Sequence, residues 1–66
     1  MNNIKYYRLR KGLSRSQLAD RVGVTEKAVG NYETGAREPR MDTAKKLANE
    51  LNTTIDSLFF NEQGGK

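Results

Sequence analysis

Thr25, Glu26, Lys27, Gly30 and Asn31 fall within one short stretch, and each offers the chemistry of contact rather than of reaction. Lys27 is a charged donor, Asn31 holds a donor and an acceptor side by side, Glu26 only accepts, and Thr25 joins a hydroxyl to a methyl. Gly30 leaves the backbone bare. If the stretch is helical, Lys27, Gly30 and Asn31 stand three and four residues apart and share a face. Such a face suits the edges of base pairs. Lys27 can donate to guanine O6 or N7, Asn31 can pair bidentately with adenine, Glu26 can accept from cytosine N4, and the Thr25 methyl can touch thymine. A carboxylate facing phosphates is unfavourable without a donor, so Glu26 is expected to reject wrong sequences, or to pair with Arg15 or Lys27.

Reaction chemistry has little to stand on. The sequence has no histidine and no cysteine, so a proton shuttle at neutral pH would require a strongly shifted carboxylate, lysine or tyrosine, and no pairing suggests one. Ser14 and Ser16 have no evident base, and there is neither a phosphate-cradling glycine loop nor metal-ligand spacing. The chain therefore reads as non-enzymatic, with no cofactor, metal or small-molecule ligand expected. Without cysteine there is no disulfide framework, and a reducing cytosol is compatible. No apolar run approaches the roughly 20 residues that span a bilayer, and Met1-Asn2-Asn3 is too polar to open a signal peptide. A cytoplasmic location with no membrane contact follows as the expectation.

At 66 residues the chain is expected to be one domain, folded by packing alone. Twelve basic residues against eight acidic ones give a net charge of +4 and a pI near 9.7. That balance admits a polyanionic partner, although small basic domains are common for reasons of solubility.

Short helices must position the contact residues. Ile4, Tyr7 and Leu9 suggest a first helix that stops at Gly12. Ser14 and Gln17 have capping-box spacing, and Leu18, Ala19 and Val22 supply the stripe of a second helix ending at Gly23. Thr25 is placed to cap a third helix in which Ala28, Val29 and Tyr32 turn inward, with Gly35 closing it. Ala36 to Arg40 lacks periodicity, and Pro39 discourages helix at Glu38. From about Met41, Ala44, Leu47, Ala48 and Leu51 form the inner stripe of a fourth helix. Thr54 caps a last short one in which Ile55, Leu58 and Phe59 face one way. The expected fold is all-α, with residues 1–60 as the domain and 61–66 as a flexible C-terminal tail. Two helices joined around a glycine cross steeply only where the crossing residues are small, and Ala19 and Gly23 meet that need.

Across Ile4 to Phe59 the sequence resembles the phage-repressor and Cro-like helix-turn-helix family, also called the XRE family. The shared features are Gly12-Leu13-Ser14, Gln17-Leu18-Ala19, Val22-Gly23-Val24-Thr25, Tyr32-Glu33 with Gly35, Arg37 with Pro39, Leu47-Ala48 with Leu51, and Ile55 to Phe59. The resemblance implies a lambda-repressor-like bundle of about five helices in which the second and third form the helix-turn-helix. It implies a small transcriptional regulator, of repressor type, that binds an inverted-repeat operator in double-stranded DNA as a homodimer, with the third helix in the major groove. Its base-contacting positions correspond to Thr25, Glu26, Lys27, Gly30 and Asn31. Phosphate contacts are implied for Ser14, Arg15 and Gln17, with Arg37 and Arg40 alongside. Arg15 stands where the family usually has glutamine, which would increase salt dependence, and Gly30 replaces a more usual side chain. Arg8 and Glu33 occupy positions that often form an ion pair between the first and third helices.

A protein-binding module of the same fold, of antitoxin or anti-repressor type, is the competing function. Glu26 and Gly30 keep it open, while Lys27, Asn31 and the nearby arginines favour DNA. RNA binding fits less well because no aromatic stacking platform is interleaved with basic groups. Leu58 and Phe60 are candidates for a dimer seam around residues 58–61, against the alternative that a loose aromatic covers the end of the bundle. With the sequence ending soon after Phe60, no ligand-sensing domain is expected, and control is expected through concentration, dimerisation, another protein or degradation.

Overall fold

Hydroxyl side chains set three of the helix starts. In the computed structural model, which describes residues 2–60, the chain forms α1 (Ile4–Arg10), α2 (Arg15–Val22), α3 (Glu26–Thr34), α4 (Met41–Glu50) and α5 (Ile55–Phe59), with no strand among the described residues. Ser14 Oγ accepts from the Gln17 N–H at 3.0 Å while Gln17 Oε1 accepts from the Ser14 N–H at 2.8 Å, so the capping box of α2 is complete. Thr25 Oγ1 accepts from the Ala28 N–H, and Thr54 Oγ1 from the Ser57 N–H, each at 3.0 Å. These bonds satisfy donors that the first turn of a helix otherwise leaves open. The tail expected at 61–66 lies outside the described residues, as does Met1.

Gly23 makes the turn between α2 and α3. Its φ of +78° is left-handed, a conformation that carries a steric cost for any residue with a Cβ. The N–H groups of Gly23 and Val24 both donate to the Ala19 carbonyl, at 2.8 and 3.0 Å, so the chain reverses within one residue of the helix end. Leu18, Ala19 and Val22 of α2 and Val29 of α3 then meet in one core with Ile4, Leu13, Leu47, Ala48, Leu51 and Leu58. Tyr7, Val24, Tyr32, Ile55 and Phe59 pack around its edge. α2 packs on both α3 and α4, α5 closes against α4, and α1 bridges α3 and α5. No helix among the described residues is long and apolar enough to cross a membrane.

The first helix departs from the expectation in one respect. Leu9 does not turn inward but is 57% exposed. At about 100° per residue, it sits roughly 140° around the helix from Ile4, whereas Arg8 lies beside Ile4 on the inner face. The buried residues of α1 are accordingly Ile4 and Arg8. Leu13, just past Gly12, is buried in the core. The polar N-terminal residues are structural as well. Asn3 is buried, its N–H donating to the Leu58 carbonyl and its Nδ2 to the Ser57 carbonyl, both at 2.8 Å. Asn2 Nδ2 donates to the Tyr32 carbonyl at 2.7 Å. Together they fasten α5 and the end of α3 to the start of α1, and burial among few competing polar groups makes such bonds hard to replace.

Candidate nucleic-acid interface

With Val29 buried beneath it, α3 presents its other side to solvent. Thr25, Glu26 and Lys27 are exposed, and Gly30 and Asn31 are half-buried. An open depression runs along this side, lined by Arg15, Glu26, Lys27, Gly30, Asn31 and Thr34. The fold thus brings four of the five expected base-contacting residues together with Arg15, while Thr25 caps the helix at its entrance. Thr34 was missed by sequence reasoning although its signal was present: Lys27, Gly30 or Asn31, and Thr34 continue one helical stripe. The side chains of Lys27 and Asn31 take part in no hydrogen bond or ion pair among the described residues, so their polar groups face solvent uncommitted. Glu26 pairs with neither Arg15 nor Lys27, and Arg15 is held elsewhere.

What holds it is Glu33. This carboxylate, on the inner side of α3 with only 3% of its side chain exposed, binds two arginines. Arg8 Nε donates to Oε2 at 2.5 Å and its Nη2 to Oε1 at 3.5 Å, and Arg8 Nη1 donates to the Leu13 carbonyl at 2.9 Å. Arg15 Nε donates to Oε1 at 3.1 Å. One buried group therefore ties α1, α2 and α3 together and fixes how α3 is presented. A buried carboxylate requires compensation of this kind, since desolvation without partners is costly. The expected Arg8–Glu33 contact is present, and Arg15 is an addition for which no local spacing gave a signal. Arg21 and Glu50 form a further, exposed pair between α2 and α4 at 3.5 Å, of a type worth little in stability.

Gly30 lies inside α3 without a positive φ, so the backbone does not require a glycine there. The nearest atom to the place its Cβ would take is Arg15 Nη1, at 3.9 Å, an ordinary contact distance. Gly30→Ala is therefore expected to stabilise the domain by about 1 kcal/mol, which for a domain of this size raises the Tm by roughly 4–8 °C. Thermal unfolding followed by circular dichroism checks this, and a lowered Tm would mean that the Arg15 side chain needs the space.

The other expected contact residues are more scattered. Ser14 and Gln17 are exposed at the start of α2, and both side chains serve the capping box, yet the Ser14 hydroxyl proton and the Gln17 amide donors are not engaged in it. Arg37 is exposed in the loop after α3, whose course is set by its N–H donating to the Asn31 carbonyl at 3.3 Å. It lines a second depression with Pro39, Met41, Ile55, Phe59 and Phe60, away from the α3 stripe. Arg40 is exposed at the start of α4. Of the two dimer-seam candidates, Leu58 is corrected: it is fully buried, because it points into the core between α1 and α4, and has no surface to offer. Phe60 is 73% exposed and, with exposed Met41, forms the apolar rim of the second depression.

Comparison with known proteins agrees with this architecture. The helix-turn-helix family model matches residues 4–58. The chain is 36% identical over 64 residues to the uncharacterized HTH-type transcriptional regulator YqaE of Bacillus subtilis (strain 168), covering 97% of this chain and 55% of that protein. It is 40% identical over 56 residues to the SPbeta prophage-derived uncharacterized HTH-type transcriptional regulator YonR of the same organism, covering 85% of this chain and 52% of that protein. The chain thus spans about half the length of each of these relatives. Among solved structures, the complex of SinR protein with SinI protein contains a chain that superposes with a TM-score of 0.81 at 26% identity, over 96% of this chain and 62% of that one.

Proposed function

The chain belongs to the helix-turn-helix family of transcriptional regulators, of the phage-repressor and Cro-like (XRE) type, and from that premise we propose that it binds double-stranded DNA sequence-specifically with α3 in the major groove. One observation carries the reading: the outer stripe of α3 gathers Lys27, Asn31, Glu26 and Arg15 around an open depression, with the polar groups of Lys27 and Asn31 uncommitted. A major groove about 12 Å wide admits a single helix and presents each base pair as a distinct donor and acceptor pattern. Thr25 and Gly30 complete the face toward the bases. Ser14, Gln17, Arg37 and Arg40 are proposed to hold the sugar-phosphate backbone and set the register, with no sequence preference of their own. A symmetric dimer on an inverted repeat follows the usual geometry of such helices, with Phe60 and Met41 as its self-contacting apolar groups. Repression is the expected outcome where such an operator overlaps a promoter, because the bound dimer excludes polymerase. The reaction is binding alone, in the cytoplasm, without cofactor.

Selection from a random duplex library with the purified protein at moderate salt tests the proposal, followed by titration of the selected duplex against scrambled DNA at several salt concentrations. The expected result is an inverted repeat with half-site centres about 34–36 Å apart, bound at least about a thousandfold more tightly than scrambled DNA. If no sequence is enriched and the weak binding disappears with salt, the DNA reading fails, and a protein partner for the α3 face takes its place.

A further inference from the structure

We propose that Arg15 reads a guanine rather than gripping a phosphate, and that Gly30 provides the place from which it does so. The inference rests on the DNA-binding reading above and adds a specificity-determining residue that does not belong to α3. Arg15 begins α2, but its Nε donates to Glu33 Oε1 of α3 at 3.1 Å. The carboxylate is 3% exposed while the Arg15 side chain is 46% exposed, so one end of the guanidinium is anchored and the other faces solvent. Its Nη1 lies 3.9 Å from where a Cβ at Gly30 would stand. The guanidinium thus lies alongside the space that a glycine leaves open on the outer stripe of α3, in the depression that Arg15 lines with Lys27 and Asn31. Any side chain longer than alanine at position 30 would compete for that place.

An arginine fork can also bind a phosphate bidentately, so what favours a base is where this fork stands: in the depression it shares with Lys27 and Asn31 on the outer side of α3. A planar fork with its Nε bound to Glu33 and both terminal nitrogens uncommitted is free to donate bidentately to guanine O6 and N7. The hydrogen bond from Nε to the buried Glu33 restricts where this planar fork points. The missing side chain at Gly30 and the charge at Arg15 then have one explanation: position 30 does not read its base pair, and Arg15 reads it from the neighbouring helix.

The test uses the whole chain as wild type, Arg15→Lys and Arg15→Gln, each put through the random-duplex selection. The wild-type duplex is then titrated with every guanine replaced in turn by 7-deazaguanine, which lacks the N7 acceptor. The expected result is that both variants lose preference at one base pair in each half-site, by roughly ten- to a hundredfold. The wild type should be weakened by 7-deazaguanine at that position, and Arg15→Gln should be indifferent to it. Lysine cannot reproduce the fork, so failure of Arg15→Lys to keep the preference separates base reading from simple charge. Arg15→Lys also leaves a cation facing Glu33, which keeps the test interpretable if Arg15→Gln is poorly folded. The inference is overturned if the selected motif is unchanged, Arg15→Lys binds like wild type, and Arg15→Gln weakens every sequence alike with the salt slope reduced by about one. If the wild type selects no motif, the DNA-binding reading itself falls and the inference falls with it.

Discussion

Replacing Glu33 with glutamine should destabilise the domain by about 3–5 kcal/mol, which approaches the whole folding free energy of roughly 3–10 kcal/mol available to a chain of this length. The size follows from which group is left behind. Arg8 is buried beside Glu33 and, among the described residues, has the Leu13 carbonyl as its one other acceptor, so removing the carboxylate strands a desolvated positive charge. Arg15, with about half its side chain exposed, returns to water and adds little to the loss. Removing both buried charges should behave differently. In Arg8→Met with Glu33→Leu no charge is stranded, and stability is expected to lie near that of the wild type or above it. Urea unfolding of the wild type, the single variant and the double variant distinguishes these outcomes. If Glu33→Gln lowered stability by less than about 1 kcal/mol, the site would have to admit water, as an exposed pair does. The double variant also isolates what the ion pairs do for function: α3 would stay packed through Val29 yet lose its tether to α1 and α2. DNA affinity falling while stability holds would mark Glu33 as a positioning residue.

The parts of this arrangement that could be read in the sequence are those specified over a few residues. The Ser14–Gln17 capping box and the Thr25 cap involve atoms three residues apart, and the stop at Gly23 depends on a single φ, so the helix-turn-helix was visible in its punctuation. The stripes of α2 and α4 were visible because three apolar residues in each repeat at helical spacing and are buried as expected. Where a charged residue takes a core position the apolar pattern misleads. Arg8 occupies the inner face of α1, and Leu9, the nearest apolar residue, was drawn into the stripe in its place. The contact of Arg15 with Glu33 spans eighteen residues and exists only once α2 and α3 cross, so nothing in its neighbourhood announces it. Asn2 and Asn3 look in the sequence like no more than a polar start, yet they bond to carbonyls of α3 and α5 that are distant in the chain. Leu58 follows the Ile55–Leu58–Phe59 stripe into the core, so that stripe was the better guide to it than its nearness to exposed Phe60.

The α3 face itself is expected to give the second large effect. A protein carrying both Lys27→Ala and Asn31→Ala should lose about 2–6 kcal/mol of affinity for its selected operator, the sum of two base contacts worth roughly 1–3 kcal/mol each. Its affinity for scrambled DNA should fall far less, because only one positive charge is removed and Asn31 carries none. Folding should be little affected. Lys27 is exposed, Asn31 half-buried, and neither side chain is bonded within the described residues, while alanine favours the helix over asparagine. Electrophoretic or fluorescence titration of the wild type, the double variant and each single substitution, on selected and scrambled duplexes at fixed salt, measures the difference. Equal losses on both duplexes would place these residues on phosphates, and no loss on either would remove α3 from the interface. The two single substitutions are needed because Lys27 and Asn31 are one turn apart and a shared or shifted base contact would make their effects non-additive. A selective loss that adds across the pair would mean each side chain reads its own base pair, with the helix held to the groove by groups outside this stripe.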